Sequence, residues 1–284
     1  MASPQHALMK RLELKDFPQP EIVRLKYPIV LCHGFGGIGS LLKPSALHDA
    51  CMLMREYGIM AFAPNVIPYA RIATRAEYWR KLIFMLKEEY GFDKFNIIGH
   101  SMGGLDIRYA ITHLGLHEEV ASLTTIATPH HGTFLANLVL KGPDLITEKL
   151  SEVLDWFGES VHPSGKSEVL SSVEQLTLEY VQEEFNPSTP NHPDIPYFSY
   201  GAAVGKGTSF SLNPIFLFQN AQIYGKEGVN DSFVSAKSAE WGTFLGNVSL
   251  SHMNQINMRV TREFKPIYQS FWKELIDYLY NHGF

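Results

Sequence analysis

The chain has 284 residues, of which 45% are hydrophobic and 19% charged, with a formal net charge of −5. Such a chain buries a sizeable core, which excludes intrinsic disorder. A mildly acidic balance also excludes the basic footprint of a nucleic-acid or anionic-membrane binder.

Tyr27-Pro28-Ile29-Val30-Leu31-Cys32 is a continuous apolar run and predicts a buried strand, followed by the loop His33-Gly34-Phe35-Gly36-Gly37. Residues 45–57 read as a helix and Ile59–Ala63 as the next strand. Thr74 and Glu77 have capping-box spacing. They open a helix with Trp79, Leu82, Ile83 and Leu86 on its apolar face, stopped by Gly91. Phe95–Ile98 is a short buried strand, Gly104–Ala110 has helical character, and Val120–Ile126 is again a buried strand. This alternation predicts an α/β fold with a mostly parallel central sheet and helices on both faces.

The alternation stops near residue 133. One amphipathic helical stretch carries Ile146, Leu150, Val153, Leu154 and Phe157, and a second carries Val169, Leu170, Val173, Leu176 and Tyr180. Asn186–Pro196, with prolines at 187, 190, 193 and 196, is irregular and leads back into the sheet at Tyr197–Tyr200. The expectation is one domain over 1–284, with a helical lid or cap inserted at about 134–196 over the C-terminal edge of the sheet. The plainer alternative makes these helices ordinary packing layers. Asn247–Leu250 reads as a strand and Pro266–Tyr280 as a structural helix.

Between the strand at Phe95 and the helix at Gly104 stands Gly99-His100-Ser101-Met102-Gly103, a G-x-S-x-G pattern. In a chain with 22 glycines the pattern alone is weak, and the strand–turn–helix context makes it informative. A serine on such a tight turn presents its hydroxyl to a cleft, and Gly99 and Gly103 remove Cβ atoms that would clash beside it. The hydroxyl becomes a nucleophile only when a base takes its proton and a carboxylate orients that base. In a doubly wound hydrolase the chain order is Ser, then acid, then His.

Among twelve histidines, His252 occupies the expected place, after the strand at Asn247 and before the final helix. His282 is expected to fray, and His33, which precedes Ser101, to anchor its loop. His130 and His131 read as loop structure, and His100 as pointing beneath the turn. Asp231, in Gly228-Val229-Asn230-Asp231-Ser232, precedes His252 by 21 residues, room for one helix and one strand. Asp194 is the fallback acid. The oxyanion formed on attack needs backbone N–H donors, expected from Met102 and from Phe35 in the first loop.

The set HGFGG (33–37), GHSMGGLDIRYA (99–110), ATPHHGT (127–133), GVNDSFVS (228–235) and SHMNQIN (251–257) resembles the bacterial true lipases of the Pseudomonas–Burkholderia–Proteus type, within the α/β-hydrolase superfamily. The resemblance runs from about Tyr27 to Asn257. It implies an α/β-hydrolase fold, Ser101, Asp231 and His252 as the triad, Phe35 and Met102 as oxyanion donors, and the helical segment as the lid. Calcium-binding members carry aspartates where this chain has Asn213 and Asn254, and calcium needs anionic oxygen ligands. The expectation is therefore no cofactor and no metal. The family's disulfide is not evident either, because Cys32 and Cys51 both precede the nucleophile; a single bridge between them is the alternative to the two buried thiols expected.

The expected activity is a serine ester hydrolase, a lipase cleaving lipid-like esters such as acylglycerols at a lipid–water interface. The alternatives are a short-chain carboxylesterase, an acyltransferase, or a non-catalytic ligand receptor on the same fold; the filled triad positions argue against the receptor and against a structural adaptor. No run approaches the roughly eighteen apolar residues of a transmembrane span. The N-terminal stretch with Lys10, Arg11, Glu13, Lys15 and Asp16 lacks the apolar centre of a signal peptide. A cytoplasmic protein is expected, or one secreted by a leaderless route or with its leader removed; oligomeric state is left open.

Overall fold

Apolar runs that are buried on both faces pair into one parallel sheet. The computed structural model describes residues 22–36, 44–141, 166–258 and 262–284. Its six strands are β1 (Ile29–Cys32), β2 (Ala61–Phe62), β3 (Phe95–His100), β4 (Val120–Ile126), β5 (Tyr197–Ala202) and β6 (Thr243–Val248), in the spatial order β2-β1-β3-β4-β5-β6. Every neighbouring pair is parallel. Each connection must therefore cross over the sheet, and the described crossovers carry α1 (His48–Glu56), α2 (Ile72–Tyr90), α3 (Met102–His113), α4 (Phe134–Lys141), α5 (Lys166–Glu174) and α6 (Leu217–Glu227), with α7 (Lys265–Asn281) after β6.

Alternate residues of each strand feed two different cores. Ile29, Leu31, Ile98 and Ile126 pack with Met54 of α1 and with Phe271, Trp272 and Leu275 of α7. Val30, Cys32, Ile97 and Leu123 pack on the opposite face with Ala76, Trp79 and Ile83 of α2 and Ile107 and Ile111 of α3. At about 25 cal/mol per Å² of apolar surface, these two layers are the main source of stability. Cys32 and Cys51 are buried free thiols, as expected.

Several boundaries differ from the sequence reading. Helix α2 starts at Ile72, so Thr74 and Glu77 lie inside it and form no capping box. Its first turn is capped from afar instead: the Ile72 N–H donates to Gln175 Oε1 at 2.7 Å. Gly91 ends the helix as expected, in the left-handed region at φ +71°. Strand β6 begins at Thr243, not Asn247, and carries an extra residue between Phe244 and Asn247 that interrupts the period-two pattern. The second amphipathic stretch is broken: α5 stops at Glu174 and a separate π-helical turn covers Tyr180–Phe185. The stretch from Ile146 to Phe157 lies outside the described residues. His282 is held rather than frayed, with Nδ1 2.7 Å from the Tyr278 carbonyl and its ring stacked on Tyr278 at 4.0 Å.

The chain runs outward from β1 to β2 and then crosses back to β3 on β1's other side. At such a switch point the loops after the two central strands diverge and leave a crevice. The loop after β1 begins at His33, and Ser101 follows β3 directly.

Candidate active site

Ser101 sits between β3 and α3 at φ +55° and ψ −134°, a conformation that a non-glycine residue holds only when its surroundings enforce it. The surroundings are explicit. Its N–H donates to Ile126 O at 2.9 Å, and its carbonyl accepts from Thr128 Oγ1 at 2.7 Å and from the Gly104 N–H at 3.1 Å. A Cβ on Gly103 would run into the Cys32 carbonyl, and one on Gly99 would lie 2.6 Å from Gly104 Cα. Both glycines are required by close approach, as expected. Met102, the first residue of α3, has no acceptor one turn back for its N–H, which stands at the positive end of the helix dipole.

Asp231 and His252 come together. His252 Nδ1 lies 2.7 Å from Asp231 Oδ2, and the His252 N–H donates to the Asp231 carbonyl at 3.0 Å. Asp231 is buried, and its other oxygen, Oδ1, accepts from the Phe233 and Val234 N–H groups at 2.9 and 2.8 Å. With an acceptor facing Nδ1, the imidazole carries its proton there and leaves Nε2 free to take another. Phe233 stacks on the ring at 4.9 Å. Asp231 follows α6 directly, and β6 with turns, not a helix and a strand, separates it from His252. Asn230 fixes the acid loop, because its buried amide exchanges hydrogen bonds with Asn220. Ser232 is a further non-glycine residue at positive φ, +88°. Asp194 is exposed and pairs only loosely with His192, at 4.0 Å.

Ser101, His252 and Phe35 line a common apolar cavity of about 90 Å³, completed by Pro129, Thr133, Leu135, Ala136, Val139, Val173, Leu176, Phe233 and Val234. Ala136 of α4 and Val173 of α5 pack against each other with Phe35 beside them. Among the described residues, α4 and α5 thus contribute side chains to the wall of this cavity.

The other histidines have structural places. His33 Nε2 accepts from the Val66 N–H at 3.1 Å and its Nδ1–H donates to Gly34 O at 2.9 Å, which anchors the loop. Burial, reinforced by Arg75, pulls its pKa down to about 3. His130 is buried against Trp241 with Arg108 beside it, and desolvation keeps it neutral.

Two constellations escaped the sequence reading. Arg75, on α2, is buried and donates to His33 O at 2.7 Å, to Gly34 O at 3.2 Å and to Asp106 Oδ2 of α3 at 2.8 Å. The Gly34 carbonyl and the Phe35 N–H belong to one trans peptide plane, so pinning the carbonyl turns the N–H the opposite way. Burial raises the Asp106 pKa to about 6 against the pull of Arg75. The second constellation is Gln255, whose Nε2 donates to Asp231 Oδ2 at 2.9 Å while its Oε1 accepts from His100 Nε2 at 3.0 Å. Its spacing of three from His252, one turn of a helix, was the available signal.

Comparisons with known proteins place the family and the fold. A family described as an alpha/beta hydrolase of unknown function (DUF915) matches residues 61–152. Triacylglycerol lipase 2 of Saccharomyces cerevisiae is 33% identical, with 82% of this chain and 81% of that protein aligned. The chain belongs to the triacylglycerol lipase family of α/β-hydrolases. It is a carboxylic ester hydrolase. A triacylglycerol lipase of Pseudomonas fragi is 27% identical over 82% of this chain and 84% of its own length. Among solved structures, Staphylococcus hyicus lipase superposes with a TM-score of 0.65 at 20% identity, covering 94% of this chain and 98% of that one. A metagenomic carboxyl esterase gives a TM-score of 0.67 at 19% identity, over 95% and 80%. These two establish the α/β-hydrolase fold.

Calcium, implied by the resemblance, does not fit the residues in its place. Asn213 and Asn254 line one cavity. Asn213 Oδ1 already accepts from the Ile215 N–H at 3.1 Å, and Asn254 Oδ1 accepts from Ser251 Oγ. Among the described residues lining it, Glu263 is the one carboxylate, too little anionic oxygen for a calcium cage.

Proposed function

We propose that the protein is a cofactor-independent serine lipase acting on lipid-like esters such as acylglycerols, with Ser101 as nucleophile, His252 as general base and acid, and Asp231 as the orienting acid. The observation that carries this reading is the 2.7 Å pairing of His252 with the buried Asp231, on a ring that shares an apolar cavity with a strained Ser101. His252 Nε2 takes the Ser101 proton as Oγ attacks the ester carbonyl. The Met102 and Phe35 N–H groups receive the oxyanion. His252 then returns the proton to the leaving alcohol, and water repeats the sequence on the acyl-enzyme.

Within its family the motif set favours the Pseudomonas–Burkholderia–Proteus type. The chain is read as one domain in which the insertion at about 134–196 is a lid that lines the acyl site and opens at a lipid–water interface. The apolar lining supports an acyl chain as occupant. The modest cavity volume favours a second reading, a short-chain carboxylesterase with the same chemistry.

Hydrolysis of p-nitrophenyl esters from acetate to palmitate, with Ser101→Ala as blank, separates the two. Activity that peaks on long chains and vanishes in the variant supports the lipase. A peak at acetate or butyrate supports the carboxylesterase. Activity that persists in Ser101→Ala overturns both. Added alcohol, with product analysis, detects acyl transfer.

A further inference from the structure

We infer that Gln255 and His100 are positioning residues that brace the triad by a directed hydrogen-bond chain, His100 to Gln255 to Asp231, joining the nucleophile turn to the acid. The inference rests on the triad reading above.

The direction of the chain follows from what each atom can do. Asp231 Oδ2 accepts from two sources, His252 Nδ1 at 2.7 Å and Gln255 Nε2 at 2.9 Å. A carboxylate facing the amide requires that the NH₂ end of Gln255 point at it, so the carbonyl end points at His100. His100 Nε2, 3.0 Å from Gln255 Oε1, must then carry its proton. All three donors run one way, toward Asp231, and each polarises the next in a buried setting. Both Gln255 and His100 are buried.

The placement gives the chain its purpose. His100 is the last residue of β3 and immediately precedes Ser101. Gln255 lies three residues after His252, in the 3₁₀ turn Asn254–Ile256. One chain of bonds therefore ties together the three loops that carry Ser101, Asp231 and His252. The His100 ring also lies 4.6 Å from that of His252. Burial and the neighbouring His252 hold the His100 pKa well below its ordinary value, so His252 gains its catalytic proton beside a neutral ring. The titratable groups around His252 are Asp231 on the acid loop and His100 on β3, with His33 of the first loop beyond His100.

Gln255→Leu keeps the approximate volume and removes the donor. The expected result is a fall in kcat of about ten-fold or more with little change in KM, the scale of one hydrogen bond to a charged group. With one donor fewer, Asp231 interacts more strongly with the His252 imidazolium, so the acid limb of kcat/KM moves to higher pH. Gln255→Glu, isosteric and able to donate when protonated, rescues kcat at low pH and loses it at a lower pH than the wild type does. His100→Phe reproduces the Gln255→Leu effect in weaker form.

Unchanged kcat and pH profiles in the soluble Gln255 variants overturn the inference, as does a loss confined to thermal stability. If Gln255→Leu does not fold, the Gln255→Glu profile decides alone. Ser101→Ala runs alongside, and its retention of activity overturns the triad reading instead.

Discussion

Asp231 uses all its acceptor capacity on four donors, two backbone N–H groups on Oδ1 and two side chains on Oδ2. That arrangement makes Asp231→Asn informative. The amide oxygen stays on the Phe233 and Val234 N–H groups, and the new NH₂ faces His252 Nδ1, which forces the proton onto Nε2. The base is then blocked, and kcat is expected to fall by roughly four orders of magnitude, the scale seen for the same change in a serine-protease triad, with the fold retained. Steady-state kinetics on a p-nitrophenyl ester, with circular dichroism as a check, measures this; a loss smaller than about ten-fold removes Asp231 as the acid. The pairing of Asp231 with His252 was legible because chain order and turn chemistry admit few candidates. Gln255 was not, because a glutamine in a polar loop has no mark until three-dimensional packing brings His100 and Asp231 to its two ends.

At the scale of elements, the Arg75–Asp106 pair joins α2 to α3, and Arg75 also holds the carbonyls of the loop after β1. The helix that follows Ser101 and the loop that carries Phe35 therefore share one fixed reference. Arg75→Met leaves Asp106 buried with the Trp79 Nε1–H but no cation on its carboxylate. A stability loss of about 3–5 kcal/mol is expected from denaturant titration. In the surviving folded fraction kcat falls while KM holds, because the Phe35 N–H loses its orientation; a normal kcat per folded molecule counts against Phe35 as a donor. The strands of the sheet centre, Ile29–Cys32, Phe95–His100 and Val120–Ile126, were readable because burial on both faces makes them continuous apolar runs. The start of α2 was not readable, since its cap, Gln175, is 103 residues away. Neither was the start of β6, where the bulge disguises the first half of an edge strand.

Over the whole molecule, His33, His100 and His130 are all buried in neutral form. Below about pH 6.5 the unfolded chain binds a proton on each that the fold excludes, so stability falls with pH by about 1.4 kcal/mol per pH unit per group. Asp106 acts in the opposite sense: its folded pKa of about 6 exceeds the ordinary 3.8, and between those values the fold gains the proton. One group offsets part of three, and the urea midpoint is expected to be lower at pH 5 than at pH 7.5. Equal midpoints contradict the neutral assignment. Chelation is a separate test at this scale, and EDTA is expected to leave both activity and melting temperature unchanged. A loss restored by Ca²⁺ shows that Asn213 and Asn254 belong to a metal site after all.

The bonds that shape Ser101 come from later in the chain. Its amide is held by Ile126, its carbonyl by Thr128, and the residue before it by Gln255. During vectorial synthesis on the ribosome the serine therefore emerges, with Gly104 close behind it, well before Ile126, Thr128 and Gln255 can hold its strained turn. On the triad reading proposed above, esterase competence is expected only once residues near 255 have cleared the exit tunnel, and a nascent chain stalled before that point is expected to be catalytically silent.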